Sequence, residues 1–150
     1  MSSKSILVTG KNGQLGQSIQ KLVIQDSILY AQHSFTFVGR DELDLSSSES
    51  IREYFSDKSF DAIINCAAYT AVDKAESELE LADQINHLAV KQIAEITKAQ
   101  NAFMVHVSTD YVFNGQRFKP YVEIDELCPQ GVYGLTKLKG EQSMQKIAPD

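Results

Sequence analysis

Ser5-Ile6-Leu7-Val8-Thr9-Gly10-Lys11-Asn12-Gly13-Gln14-Leu15-Gly16 decides the fold of this chain. Ser5 to Thr9 is a short β-branched run of strand character. Gln14 to Gln25 carries Leu15, Ile19, Leu22 and Val23 at helical spacing. Between them stands a G-x-x-G-x-x-G loop. Gly10 permits a sharp strand exit, and Gly13 lets backbone approach a pyrophosphate without a Cβ in the way. Gly16 lets the helix lie close to the sheet. The open helix end then offers free N–H groups and partial positive charge to phosphate. A P-loop is excluded, because no Gly-Lys-Ser/Thr follows. The strand–loop–helix context points to dinucleotide binding.

The same alternation continues outward. Ser34 to Val38 is a second strand, and Ser48 to Phe55 has helix spacing with Ser46 as its N-cap. Asp61 to Ala67 is a buried strand. Glu78 to Gln100 is a long amphipathic helix with Leu81, Ile85, Leu88, Ile93 and Ile96 as its apolar stripe. Ala102 to Ser108 is a fourth strand, and Tyr133 to Ile147 a last helix ended by Pro149. Apolar strands alternating with helices predict an α/β fold with a doubly wound parallel sheet of the Rossmann type. Tyr111 to Val132 is a long polar connection, of the length that is usually functional in a compact domain.

Composition narrows the function. There are 14 Lys+Arg against 20 Asp+Glu, a net charge of −6, which speaks against a general nucleic-acid binder. No run approaches the roughly 20 apolar residues of a membrane span, and Met1 to Ser5 do not resemble a secretory leader. Cys66 and Cys128 lack metal-ligand neighbours at any usual spacing, and His33, His87 and His106 are scattered. The expectation is two free thiols in a reducing cytoplasm, with Cys66 a small buried residue and no metal.

Two strand ends carry candidate coenzyme contacts. Gly39-Arg40-Asp41-Glu42-Leu43-Asp44-Leu45 follows the second strand. An acid at that strand end holds a ribose 2′-OH, whereas an Arg accommodates a 2′-phosphate. Arg40 comes first here, which points to NADPH. The cluster reads equally well as solvated surface charge. Asn65-Cys66-Ala67-Ala68-Tyr69-Thr70 follows the third strand, where small residues let a flat ligand lie on backbone or let a helix pack closely.

Tyr133-Gly134-Leu135-Thr136-Lys137 places a phenol and an amine at i and i+4, on one helix face. A phenol ionises near ~10 in isolation, and an ammonium one turn away favours the phenolate. Such a tyrosine can exchange a proton with a carbonyl or alcohol oxygen. Ser108-Thr109-Asp110 ends the preceding strand and can hydrogen-bond the same oxygen. Either motif alone is weak. In one chain, and in this order, they reinforce each other.

Four stretches together resemble the extended short-chain dehydrogenase/reductases. They are the glycine loop, Ala67 to Glu76 (AAYTAVDKAE), Ser108 to Phe113 (STDYVF), and Tyr133-Gly134 with Lys137, Gly140 and Glu141. Within that family they look most like the dTDP-4-dehydrorhamnose reductases, from about Ile6 to Gln142. The resemblance implies NADPH, or NADH, delivering hydride to C4 of a dTDP-4-keto-6-deoxy sugar. It implies Tyr133 as proton donor, Lys137 as its partner and a ribose ligand, and Thr109 with Asp110 on the sugar oxygen. It places Gly13, Gln14 and Leu15 at the pyrophosphate, Asp44 and Leu45 at the adenine, and Ala67, Ala68 and Tyr69 at the nicotinamide. Asn86 matches a helix-ordering Asn of the family or is a surface polar residue. Gly131 stands where many members carry Asn, a departure expected to loosen the loop. Ser18 replaces a metal-binding acid, so no bridging metal is expected.

Members of the family are longer than this chain. The resemblance therefore implies a Rossmann domain over residues 1–150, truncated after the Tyr–Lys helix and inactive alone. The expected partners are a dTDP-sugar and either a second copy of the chain or a missing C-terminal half. Two other readings stay open: a non-catalytic NADP-binding regulatory subunit, like that of methionine adenosyltransferase, and an inert remnant.

Overall fold

A computed structural model describes residues 3–26 and 30–149 of the chain. Met1 and Ser2, part of the leader reading, lie outside the described residues. Four parallel strands form one sheet: β1 (Ser5–Thr9), β2 (Ser34–Val38), β3 (Ala62–Asn65) and β4 (Phe103–His106), in the order β2-β1-β3-β4. Among the described residues the α-helices are α1 (Gln14–Gln25), α2 (Ser48–Phe55), α3 (Val72–Ala75), α4 (Leu79–Asp83), α5 (Ala89–Ala99) and α6 (Val132–Ile147). This is the predicted doubly wound architecture. Strand order reverses between β1 and β3, and open α/β sheets bind ligands at such a switch point.

Register puts Leu7, Ile63 and Met104 on one sheet face. They are buried with Ile51 and Phe55 of α2 and Val90 and Ile93 of α5 in one core. Side chains of β4 that point the other way, Phe103 and Val105, are exposed. Among the described residues β4 forms an edge of the sheet.

The boundaries of β1, β2, α1 and α2 are as predicted, but other local features differ. The cap of α2 is Ser47, whose hydroxyl accepts from the Ser50 amide 3.2 Å away; Ser46 instead turns back onto Asp44. The buried strands β3 and β4 are four residues each, shorter than their apolar runs. The α1 stripe is only half covered, with Ile19 and Val23 partly buried and Leu15 and Leu22 exposed.

The long amphipathic helix is interrupted by a π-helical turn at Gln84–Leu88 between α4 and α5. A π-turn inserts one extra residue and rotates the following face. Leu88 consequently faces solvent while Ala89, Val90 and Ala94 are buried. Two short elements escape apolar patterning altogether: α3 and a 3₁₀ turn at Asp110–Val112.

Candidate active site

The glycine turn takes the shape its sequence suggests. Gly10 has φ +70°, and a Cβ there would lie 2.8 Å from the Ala67 amide nitrogen. The Gly13 amide donates to Gly10 O at 2.9 Å, closing the turn. Gly13 is also the N-cap of α1 and supplies no capping side chain, and the first turn holds no acid. The N–H groups at this helix end are therefore left for an external acceptor. A cleft of about 650 Å³ opens in front of them. Of the predicted coenzyme residues, Gly10, Gly13, Gln14, Arg40, Asp44, Leu45, Ala67, Ala68 and Tyr69 line it. Leu15, Gly16, Tyr133 and Lys137 do not. Leu15 is exposed on α1, and Gly16 is buried where a Cβ would come within 2.3 Å of Gly10 O, so its part is close packing.

Charge gathers at the β2 end of the cleft. The Glu42 carboxylate pairs with Lys11 and accepts from the Gly39 amide at 2.9 Å; the Lys11 bond chiefly holds its pKa below the usual value. Arg40 is mostly exposed, its Nε 3.6 Å from Asp44 Oδ1. That carboxylate oxygen also accepts from the Ser46 amide at 2.9 Å and hydroxyl at 2.7 Å. Asp44 is thus tied to a turn, and the exposed Arg40 guanidinium stands beside it. The second cation, Lys11, was not among the predicted residues. Nothing in its motif marks it, because the fold alone carries it across to Gly39.

Lys137 is 2% exposed. Its Nζ donates to Val107 O at 2.5 Å and lies 3.3 Å from His106 Nε2. Burial pulls its pKa down to about 8, and Glu141 partly opposes this. His106 is pulled down to about 3, by burial and then by Lys137, so it stays a neutral imidazole. His106 Nδ1 meets Asn65 Nδ2 at 3.0 Å, and Asn65 Oδ1 accepts from the Thr9 hydroxyl at 2.5 Å. This chain of contacts puts Lys137 at the strand ends that open the glycine cleft.

Tyr133, one turn before Lys137, stacks edge-on against Tyr111 with ring centroids 5.4 Å apart. It lines a second hollow of about 400 Å³ together with Asp110 and Tyr111. The two hollows adjoin one segment, since Ala71 lines the first and Val72 the second. Thr109 caps the 3₁₀ turn, accepting from the Tyr111 amide and donating to Asp110 Oδ1 at 3.2 Å. The Ser108 hydroxyl donates to Glu141. Cys66 is half-buried, its thiol pKa pushed up by burial, and lines the cleft; Cys128 is exposed.

Sequence reasoning left three positioning residues unresolved or unseen. Asn86 is no surface polar residue. It is buried in the π-turn, and its amide bonds Tyr69 N at 2.9 Å, Tyr69 O at 3.1 Å and Thr136 Oγ1 at 3.2 Å. Glu76 Oε1 accepts from Val132 N at 2.8 Å and so caps α6 from another helix end. Gly131 sits beside that cap: a Cβ there would stand 2.8 Å from the Glu76 carboxylate, the far end of a flexible side chain. His106 was the third.

Replacing Glu76 by Ala removes the cap and a negative charge at the positive end of α6. The expected loss is about 1 kcal/mol, checked by the urea midpoint at constant slope. An unchanged midpoint means that water caps α6 as well as the carboxylate does.

A family model described as the RmlD substrate binding domain matches residues 4–150. A dTDP-4-dehydrorhamnose reductase of Burkholderia thailandensis is 40% identical over 146 residues, which is 97% of this chain and 47% of that protein. The crystal structure of a dTDP-4-dehydrorhamnose reductase from Clostridium acetobutylicum superposes with a TM-score of 0.88 at 39% identity, covering 97% of this chain and 50% of that one. One from Bacillus anthracis, in complex with NADP, gives a TM-score of 0.86 at 32% identity, covering 98% and 50%. The chain spans about half the length of the curated relatives it matches. Among the described residues no helix is long and apolar enough to cross a membrane. With its model matched along nearly the whole chain, the protein belongs to the RmlD substrate binding domain family.

Proposed function

We propose that this chain is the coenzyme-binding, proton-donating portion of a reductase that converts dTDP-4-dehydro-L-rhamnose to dTDP-L-rhamnose with NADPH, in the cytoplasm. One observation carries the reading. Lys137, on the helix of Tyr133, is wired through His106 and Asn65 to Thr9, the residue before the glycine turn. A Tyr–Lys pair on an unrelated surface would have no such link to a dinucleotide cleft. The relatives that match along the chain are named as dTDP-4-dehydrorhamnose reductases, and one of them was solved with NADP.

The cleft fits a dinucleotide. It has uncapped helix N–H groups, a turn whose glycine admits no side chain, and an exposed guanidinium at the β2 end. The backbone of Gly13, Gln14 and Leu15 would hold the pyrophosphate. Arg40 would hold the 2′-phosphate, Asp44 and Leu45 the adenine, and Ala67, Ala68 and Tyr69 the nicotinamide face. Bound NADPH supplies the hydride for C4 of the sugar. Tyr133 gives its phenolic proton to the oxygen that becomes the alcohol. The Lys137 ammonium stabilises the phenolate left behind and holds the nicotinamide ribose. Thr109 and Asp110 orient the same sugar oxygen. Their remaining hold on the sugar nucleotide is a proposed contribution of sequence outside this chain. Without it, positioning and most of the rate are lost.

Calorimetry with this chain tests the binding half. NADPH is expected to bind more tightly than NADH, and Arg40→Ala to erase that preference by weakening NADPH alone, by roughly tenfold for one exposed charge–phosphate contact. No heat with either coenzyme overturns the reading. Equal affinities unmoved by the substitution remove Arg40 from it.

A further inference from the structure

Thr9, Asn65 and His106 are direct partners in the parallel register of β1, β3 and β4. Their side chains form one polar row across the strand ends, and Lys137 Nζ closes it. The donors in that row are limited, so its directions can be worked out. Thr9 donates to Asn65 Oδ1, and Asn65 Nδ2 then donates to His106 Nδ1. A neutral imidazole accepting at Nδ1 carries its proton on Nε2. Nε2–H can donate to Lys137 only if the lysine offers a lone pair, and an ammonium has none. This arrangement belongs to a neutral amine.

A charged Lys137 needs the reverse. Its ammonium donates to Nε2, the ring proton moves to Nδ1, and Asn65 must turn its oxygen toward the ring. An amide makes that turn within its own volume, since O and NH₂ exchange places. Thr9 Oγ1 then accepts from Asn65 Nδ2 as well as from Ala67 N, which lies 3.2 Å away. Val107 O accepts from Lys137 in both arrangements.

We propose that the Thr9–Asn65–His106 row is a two-setting positioning device for Lys137. The His106 tautomer and the Asn65 amide reverse together whenever Lys137 gains or loses its proton. One proton in total leaves for solvent when the amine forms, and the ring exchanges the site of its proton without changing charge. His106 is thus a positioning residue that offers the lysine an acceptor when charged and a donor when neutral. The other titratable groups near Lys137 are Tyr133 and Glu141 on its own helix, and Glu141 is held by Ser108. Of the charged side chains beside α6, Glu76, just after α3, accepts from the Val132 amide, and Asp83 of α4 pairs with Lys139 and His87. Burial keeps the ring uncharged across the range in which Lys137 titrates near pH 8.

The proposal rests on the functional reading only in supposing that the state of Lys137 matters for reduction. The device itself is read without coenzyme. The ¹⁵N-labelled chain is followed from pH 6 to pH 10 by long-range proton–nitrogen correlation of the His106 ring and by the Lys137 ε-methylene signals. At pH 6 Nδ1 is expected as the protonated nitrogen and Nε2 as the bare one. The two are expected to trade places with a midpoint within about half a pH unit of that of Lys137. A ring that keeps one tautomer while Lys137 titrates, or that turns cationic near its ordinary pKa, overturns the proposal. Failure to bind NADPH in the calorimeter undoes the functional reading and leaves this result untouched.

Discussion

Below pH 6.5 the folded chain is expected to lose stability at about 1.4 kcal/mol per pH unit because of one imidazole, His106. Burial, with Lys137 beside it, lowers its folded pKa to about 3 from 6.5. The unfolded chain therefore takes up a proton that the native chain refuses. Acid favours unfolding from pH 6.5 down to about 3, and above 6.5 the contribution is complete. The loss accumulates to several kcal/mol, a large share of the roughly 5–15 kcal/mol typical of a domain.

Carboxylates act in a lower window. Asp61, held near 2 chiefly by the Ser5 amide and also by Lys4, is protonated in the unfolded chain only near its ordinary value of 3.8. The slope between pH 6.5 and 5 therefore reports on His106. His106→Gln keeps a donor and an acceptor but cannot be charged. It is expected to be less stable at pH 7 and to flatten the acid limb in urea titrations at constant slope. The same acid slope in the variant would mean that the buried proton site is not His106.

Much of this architecture was legible because two periodicities are written into the chain. β1 and β2 are bounded by glycine or by polar residues, and α1 and α2 by a glycine turn and a Ser cap, so local chemistry fixes their ends. Legibility failed where long-range contact decides. The apolar run through Glu78–Gln100 carries no local mark of a π-turn. That turn exists because Asn86 must reach Tyr69 and Thr136, 17 and 50 residues away along the chain. Leu88 looks like core by spacing and is exposed once the extra residue has rotated the face.

The candidate site divides in the same way. The glycine loop, the Ala67-Ala68 strand end and the Tyr133–Lys137 spacing announce chemistry by residue type. Lys11, His106 and Glu76 announce nothing. A lone Lys, His or Glu gains meaning only when the sheet register or a neighbouring helix brings it to Gly39, Asn65 or Val132. Within the same loop the side chains part ways: Leu15 turns to solvent, and Gly16 lets the helix pack close to the strand exit, as its place in the motif suggests.

Gly140→Ala is expected to destabilise the chain by about 2–3 kcal/mol, against the usual sign for that change in a helix. Within a helix Gly costs roughly 1 kcal/mol relative to Ala, so propensity alone predicts stabilisation. Position 140 faces the π-turn, where an added Cβ would stand 2.2 Å from Asn86 O and 3.6 Å from Val90 Cβ. The first partner is backbone and cannot rotate away, so either α6 or the π-turn must shift by about 1 Å. Overpacking of that kind costs about 1–3 kcal/mol and more when backbone moves, which outweighs the propensity gain. Melting is expected to fall by roughly 5–10 °C, while Gln142→Ala, exposed on the same helix, stays within experimental error.

The displacement has a chemical consequence too. Lys137 lies one turn before Gly140, and Asn86 holds the Tyr69 backbone that borders the proposed coenzyme cleft. Moving either helix draws Nζ away from Val107 O or loosens the Tyr69 segment, so NADPH affinity falls along with stability. A Gly140→Ala chain that melts at or above the wild-type temperature shows that α6 and the π-turn are farther apart than this fold places them. The alignment of Lys137 with the strand ends would then need another source.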